Sequence, residues 1–279
     1  MFGQLRSDLT TLLTGLGLGL GLSTAAFADN LSFQDPRGDD NGWGKAAYPT
    51  GKDYTAGAFD MVGLEIKEDG DDLSIEVEFA QPITDPWTSK DWGGNGFSLQ
   101  FVQIYLDLDG KPRSGEKKAV PGAWLEFEPN SYWEKVILIS PQPAAKVKGE
   151  IEAKAKWLDK KVIIPAHTEA RQKKLIAKVP KKELGSPSAK WGVQALVLSN
   201  EGFADKEDVL SRRTNEMAGE HRFGGGCDGV GDPQVVDLLA GAAKGDASEV
   251  AAQQKMMSGW VCADTAAKAT LAKISMVRR

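Results

Sequence analysis

The sequence contains only two histidines among its 279 residues, which leaves few side chains for acid–base catalysis near neutral pH. His167 and His221 adjoin no nucleophile motif, and they do not stand at a metal-ligand spacing. The G-x-S-x-G and H-E-x-x-H motifs and a phosphate-binding glycine loop are all absent. We therefore predict that the protein is not an enzyme.

An excess of positive charge is also absent. Asp and Glu number 39 against 34 Lys and Arg, which gives a formal net charge of −5 at pH 7. The lysines are interleaved with glutamates, as in Lys181-Lys182-Glu183, and form no basic cluster. Because nucleic-acid binding needs a basic face, nucleic acid is excluded as an expected partner.

Long apolar runs are missing as well. A membrane-spanning helix takes about 20 apolar residues, and the run at 12–22 is shorter and rich in glycine. A charged start precedes this run, and Ala26-Phe27-Ala28 follows it. These three features, a charged start, a short apolar run and an A-x-A ending, are the parts of a secretory signal peptide. We predict that residues 1–28 are a signal peptide and that the protein is exported, to the periplasm, the cell surface or the medium.

Cysteine is nearly absent. Cys227 and Cys262 are 35 positions apart, so the C-x-x-C-H motif of covalent haem attachment does not occur. Two cysteines in an exported chain favour one disulfide over a metal site or a nucleophile. We predict a bond between Cys227 and Cys262.

Alternation of apolar and polar residues predicts a mainly β protein. In residues 71–80 this period of two indicates an antiparallel strand with one buried face, and residues 61–67 pair with it as a hairpin. Residues 97–108 are apolar on both faces, which predicts a central strand covered on both sides, with a bulge where the phase shifts. Further strands are predicted at 123–128, 132–140, 161–165, 174–179 and 191–199.

Helical signals are short until the end of the chain. Asp232-Pro233 has the form of a helix start before the apolar residues 235–239. Residues 249–257 and 265–274 are predicted to be helical from their Ala, Gln and Lys content. The whole pattern predicts an antiparallel β-sandwich over 29–239, with a short helical C-terminal extension over 240–279.

The segment 35–42 concentrates three carboxylates, Asp35, Asp39 and Asp40, in a turn that contains Pro and Gly. A hard cation with oxygen ligands would hold such a turn together, and calcium is the expected ion. Asp60 or Asp228 would complete the ligand set. The alternative is that Arg37, backbone amides or solvent compensate the charge.

Eight tryptophans are more than a core of this size needs. Trp43, Trp87 and Trp92 lie in polar, Gly-rich surroundings, and Asn95 follows in the same loop as the last two. An exposed indole offers an apolar plane that the C–H face of a sugar can stack against, and nearby amides can bind the hydroxyl groups. These four residues are therefore the predicted carbohydrate site. Packing of the indoles against the ends of the sheets is the alternative.

The order of these motifs resembles one known family, the DOMON-like C-terminal binding module of glucodextranases and of some pullulanases. The resemblance spans about 35–239 and rests on Asp35-Pro36 with Gly38-Asp39-Asp40 and Gly42, Tyr48-Pro49-Thr50, Gly57-Ala58-Phe59-Asp60, Trp92-Gly93 with Gly96-Phe97-Ser98, Ile104-Tyr105-Leu106-Asp107, Phe223-Gly224-Gly225-Gly226 with Asp228, Asp232-Pro233 and Val236-Asp237-Leu238-Leu239. It implies an immunoglobulin-like sandwich that binds carbohydrate or the cell envelope. It also implies that the acidic first motif lies near the Gly-rich last motif.

Two other functions stay open at this point. DOMON-like proteins also include haem-binding electron carriers, whose axial ligands would here be sought among Met61, Met217, His167 and His221. A structural or protein-binding role in the envelope is the other, with the extension at 240–279 as the surface for a protein partner. No glycosidase module accompanies the motifs in these 279 residues, so a role as accessory to an enzyme in the same chain is not expected.

Overall fold

The computed structural model describes residues 30–279, so the predicted signal peptide, residues 1–28, lies outside the described part of the chain. The two α-helices of this part are α1 (Ala144–Lys154) and α2 (Ser248–Met256). Its strands, in chain order, are β1 (Leu31–Gln34), β2 (Met61–Asp69), β3 (Asp72–Phe79), β4 (Gln100–Asp107), β5 (Leu125–Phe127), β6 (Lys135–Ile139), β7 (Val162–Ile163), β8 (His167–Arg171), β9 (Lys174–Pro180), β10 (Gly192–Ser199), β11 (Val235–Leu238), β12 (Ala272–Ile274) and β13 (Val277–Arg278).

The strands form two large sheets that face each other. The first sheet has the order β1-β2-β3-β9-β8, and the second has the order β11-β10-β4-β6-β7, with β13 also paired to β10. All their ladders are antiparallel except β6 with β7. The predicted hairpin is β2–β3, and its turn contains Gly70 at φ +64°, a conformation that suits glycine. The predicted mainly-β sandwich is confirmed.

Strand β4 lies at the centre of the second sheet and is buried along its whole length. Val102, Ile104 and Leu106 belong to the core between the two sheets. Phe101 and Tyr105, on the other face, belong to a second core with residues of α1 and of the chain's last strands. The prediction of a strand covered on both sides is therefore confirmed.

The prediction of a bulge in this strand is wrong. The register between β4 and β10 runs without interruption from Asp107 to Gln100. The change of apolar phase arises because Phe97 and Leu99, which join the core between the sheets, precede the start of β4. The irregularity in this sheet lies instead between β10 and β11, at Val197 and Leu198.

The helix predicted at 235–239 is also wrong, since Val235–Leu238 is strand β11. All four of its residues are buried, three of them pair with β10, and its apolar residues contribute to both cores, which suits an extended segment with neighbours on both faces. The local helix-start signal of Asp232-Pro233 is overridden by this pairing.

The C-terminal 40 residues are less helical than predicted. The helix expected at 249–257 is confirmed as α2, but the helix expected at 265–274 is wrong, because this segment ends in β12, which pairs with β5. Strand β13 then joins the main sheet through Gly192 and Val193 of β10. The extension is thus built into the sandwich rather than appended to it.

The predicted disulfide between Cys227 and Cys262 is present. It joins the Gly-rich motif to the C-terminal extension. The acidic and Gly-rich motifs also lie close together, as expected, because Tyr48, whose hydroxyl donates to Asp40, packs against Phe223 with ring centres 5.0 Å apart. Over residues 30–279, no helix has the length and apolar character needed to cross a bilayer.

Candidate functional site

Aromatic side chains from two loops line an open depression of about 600 Å³ at one end of the second sheet. Trp87 and Trp92 come from the loop before β4, and Phe203 comes from the loop that follows β10. We call this feature the aromatic depression; its remaining lining residues are Gln142, Pro143, Lys146, Asn200, Glu201, Gly202, Arg212 and His221.

Two of the three rings are open to solvent. Phe203 is 91% exposed and Trp92 is 38% exposed, whereas Trp87 is half-buried and packs against the core between the sheets. Exposed apolar side chains that cluster in one groove often mark a ligand-binding site. Sequence reasoning missed Phe203, although its setting in Glu201-Gly202-Phe203, a polar turn with glycine, is of the same kind as that of Trp92.

The loop that carries Trp87 and Trp92 is held in one shape by its own hydrogen bonds. The Asp85 carboxylate accepts bonds of 2.9 Å from the backbone N–H and the hydroxyl of Ser89, and it also accepts from the Ser98 hydroxyl. The Trp92 indole N–H donates to the Trp87 carbonyl over 3.1 Å. Because the loop is already ordered in the folded protein, it loses little further conformational entropy when a ligand binds. The indoles are therefore preorganised for binding.

Arg212 places a fixed positive charge beside the indoles. Its guanidinium carbon lies 5.1 Å from the centre of the Trp87 ring. Its Nε donates to the Asn200 carbonyl over 3.1 Å, and it pairs with the Glu201 carboxylate over 3.4 Å. Because these partners hold it, Arg212 can present its remaining N–H groups to a ligand at small entropic cost.

The polar groups at the depression are side-chain amides and the charged ends of long side chains, and they surround the apolar rings. The Lys146 ammonium lies 4.6 Å from the centre of the Phe203 ring, and the side chains of Gln142 and Asn200 approach each other over 3.4 Å. Apolar planes with a few polar groups at their edges match a ligand that has both an apolar face and hydroxyl groups.

The structure does not bring Trp43 and Asn95 to the aromatic depression. The Trp43 ring packs edge-on against Trp260, with centres 5.5 Å apart, beside both cores. The Asn95 amide donates to the carbonyls of Ser140 and Gln142, over 2.8 and 3.3 Å. Trp43 therefore takes the packing role that was the alternative for the indoles, and Asn95 ties its loop to the segment at 140–142.

A second cluster gathers the carboxylates of the acidic motif. Asp35 and Asp39 meet Asp237, with carboxylate oxygens within 4.8 Å of one another, and all three side chains are buried. Asp237 was not among the predicted ligands, because it stands in the apolar stretch taken for a helix. Asp228, which was among them, is exposed and lies on another depression with Arg213 and Arg222.

The other two predicted acids lie next to this cluster and have partners of their own. The Tyr48 hydroxyl donates to Asp40, and the Gly38 N–H donates to Asp60 over 2.8 Å. Burial, together with the charge of neighbouring acids, raises the pKa of Asp39 to about 7 and that of Asp60 to about 6. Burial likewise raises the pKa of Asp35 and of Asp237 well above the usual range.

The four side chains considered as haem ligands lie in four different settings. Met61 is buried in the core between the sheets, whereas Met217 is 81% exposed. His167 stands on the edge strand β8, and His221 lines the aromatic depression. The fold does not pair any two of them across an apolar pocket, so it offers no support for the haem function.

Comparison with known proteins gives one match. A family model described as the C-terminal, SLH-like binding module of glucodextranase matches residues 31–274. This range covers both sheets and all but the last strand. Among curated proteins, none matches the chain.

Proposed function

Because the chain belongs to the family of C-terminal, SLH-like binding modules of glucodextranase, we propose that it binds carbohydrate without catalysis, at the aromatic depression. The ligand class is a polysaccharide or a cell-envelope glycan. A glucan is the first candidate, because the family is named after an enzyme that acts on one.

The observation that carries this proposal is the set of three aromatic rings in one open depression. The two solvent-exposed rings, Trp92 and Phe203, each offer a plane for a sugar face, and Arg212 and Gln142 supply donors and acceptors for hydroxyl groups. Stacking one sugar ring contributes on the order of 1 kcal/mol beyond area burial. Affinity is therefore expected to be weak, with a Kd of micromolar to millimolar size, about −4 to −8 kcal/mol.

We further propose that the protein acts outside the cytoplasm. Residues 1–28 have the sequence of a secretory signal peptide, and a disulfide of this kind persists in an oxidising compartment. A polymeric or envelope glycan would be met in the periplasm, at the surface or in the medium.

The test is calorimetric titration of residues 29–279 with a panel of soluble glucans, among them an α-1,6-glucan and a β-1,3-glucan. Trp92→Ala and Phe203→Ala should each weaken binding about fivefold, the factor that corresponds to about 1 kcal/mol. Both rings are open to solvent, so the melting temperature should stay within about 2 °C of the wild-type value.

Trp157→Ala is the matched control. Trp157 is 64% exposed but lies on another depression, with Trp124 and Leu271, so its loss should leave glucan affinity unchanged. Binding that survives both Trp92→Ala and Phe203→Ala would place the site elsewhere. Absence of binding to the panel and to a glycan array of envelope polymers would reject the function itself.

A further inference from the structure

We propose that Asp35, Asp39 and Asp237 bind one divalent cation of the calcium class. They come from two distant parts of the chain: Asp35 and Asp39 belong to the acidic loop that follows β1, and Asp237 belongs to β11. We call these three residues the carboxylate triad. The site is independent of the aromatic depression, with which it shares no lining residue.

The spacing of the oxygens fits a single ion. One carboxylate oxygen from each member of the triad lies within 4.8 Å of one oxygen of each of the other two. Two oxygens that bind the same calcium ion, each at about 2.3–2.6 Å, stand no more than about 5 Å apart. One ion can therefore touch all three carboxylates where they stand.

The triad oxygens have no donor to satisfy them. Both oxygens of Asp35, both of Asp39 and one of Asp237 accept no hydrogen bond, although the three side chains are only 5%, 1% and 0% exposed. The second oxygen of Asp237 accepts from the Met61 N–H over 2.7 Å, which fixes the carboxylate in place. Buried polar atoms are nearly always partnered, so five free oxygens facing one another indicate a missing positive partner.

No side chain of residues 30–279 forms an ion pair with the triad. None of the ion pairs in this part of the chain includes a member of the triad or Asp60. Arg37, the nearest candidate in sequence, is exposed. Breaking the charge balance of a buried site costs several kcal/mol, so compensation by a bound cation is the simplest account.

The ligand chemistry selects the ion. Carboxylate oxygens suit calcium, magnesium and manganese, whereas zinc and copper favour imidazole and thiolate ligands. Magnesium keeps several of its waters, while calcium accepts six to eight oxygens mostly from protein. The three carboxylates offer five free oxygens, and the unpartnered Oδ1 of Asp60 adds a sixth nearby. We therefore expect calcium to bind more tightly than magnesium.

An access route lies next to Asp35. Asp35 lines an open depression of about 490 Å³, together with Arg37, Gly245 and residues of β2. Asp35 is the most exposed member of the triad, at 5%, so an ion would enter from this side.

The test uses residues 29–279 after treatment with EDTA and gel filtration. Calorimetric titration should give one calcium ion per chain, and magnesium should bind at least tenfold more weakly. Calcium at about 100 times its Kd should raise the melting temperature by roughly 5–10 °C. A metal-free protein that neither binds calcium nor changes its melting temperature would overturn the site.

Two variants distinguish a bound cation from the alternative in which the three carboxyl groups are neutralised by shared protons. Asp35→Asn removes one charge from the triad, so it should melt above the wild type in EDTA and lose the calcium-induced rise. Asp237→Asn should lose calcium binding in the same titration. Asp109→Asn, in an exposed acidic turn next to Ser114, is the control and should keep the full calcium effect. If both triad variants keep that effect, the ion binds elsewhere.

Discussion

Asp232 is a buried carboxylate that stands beside the disulfide. Its Oδ1 lies 3.5 Å from the Cys227 sulfur, and its Oδ2 has no hydrogen-bond partner. Burial raises the pKa of Asp232 to about 6. The positive charge of Arg213 lowers this pKa, and the negative charge of Asp208 raises it. The folded protein therefore holds a proton on Asp232 at a pH at which the unfolded chain has lost it.

The sign of the pH effect follows from that raised pKa. The contribution of Asp232 to stability is fully present below about pH 4 and is lost as the pH rises through about 6. Asp232→Asn cannot ionise, so it should exceed the wild type in unfolding free energy by roughly 1–3 kcal/mol at pH 7.5 and match it at pH 4. Urea unfolding at pH 4, 5.5 and 7.5 measures the difference.

Asp228→Asn is the control for this prediction, since Asp228 lies four positions away and is exposed. It should follow the wild type at every pH. If Asp232→Asn also follows the wild type from pH 4 to 7.5, Asp232 is ionised in the folded protein and its charge is compensated.

Helix α2 is attached to the sandwich through one acidic side chain near its start. Glu249 is only 3% exposed, and its carboxylate accepts five bonds of 3.0–3.2 Å from the N–H groups of Ala242, Lys244, Gly245 and Asp246. The same turn carries Ala243, whose N–H donates to the Ala240 carbonyl. One carboxylate thus fixes the path of the chain from β11 into α2.

Glu249→Ala should therefore lower the unfolding free energy by about 3 kcal/mol or more, because it leaves four N–H groups without their acceptor. Urea unfolding in calcium-containing buffer is the measurement. Glu152→Ala on α1 removes only a surface ion pair with Lys148 at 3.8 Å, so it should change stability by less than about 1 kcal/mol. Equal effects for the two variants would show that the turn before α2 keeps its shape without Glu249.

At the scale of the whole molecule, the C-terminal extension is attached to the sandwich at its middle and at its end. The disulfide ties its middle to the Gly-rich motif, and β13 ties its end to β10. The last residue adds to this, because the Arg279 guanidinium lies 4.7 Å from the Phe33 ring and donates to the Ser32 carbonyl of β1. We expect the extension and the sandwich to unfold together in one transition.

Replacing both cysteines by serine should lower the unfolding free energy by roughly 3–4 kcal/mol, the chain-entropy value for a closed loop of 35 residues. Urea unfolding of the double variant measures this loss of unfolding free energy. Wild-type protein in dithiothreitol is the internal control and should show the same midpoint. A double variant that unfolds at the wild-type urea concentration would mean that β13 and α2 hold the extension without the disulfide.

Local patterns in the sequence were enough to predict most of the central strands. The period of two in β3 and the two-sided apolar run of β4 depend only on neighbours along the chain, so they can be seen without the fold. The motif order identified the family, and the cysteine count predicted the disulfide. The segments at 235–238 and 272–274 were predicted as helices because their strand partners lie far away in sequence.

For the two candidate sites as well, some residues could be predicted from the local sequence and others only from the tertiary structure. The sequence alone determined that Trp87, Trp92, Asp35 and Asp39 lie in loops rich in polar residues and glycine. Only the tertiary structure placed Phe203 beside the indoles and Asp237 beside the carboxylates, and it assigned Trp43 and Asn95 to packing. The physical reason is that a site is a set of contacts between distant segments, and sheet pairing, rather than local composition, decides which segments meet.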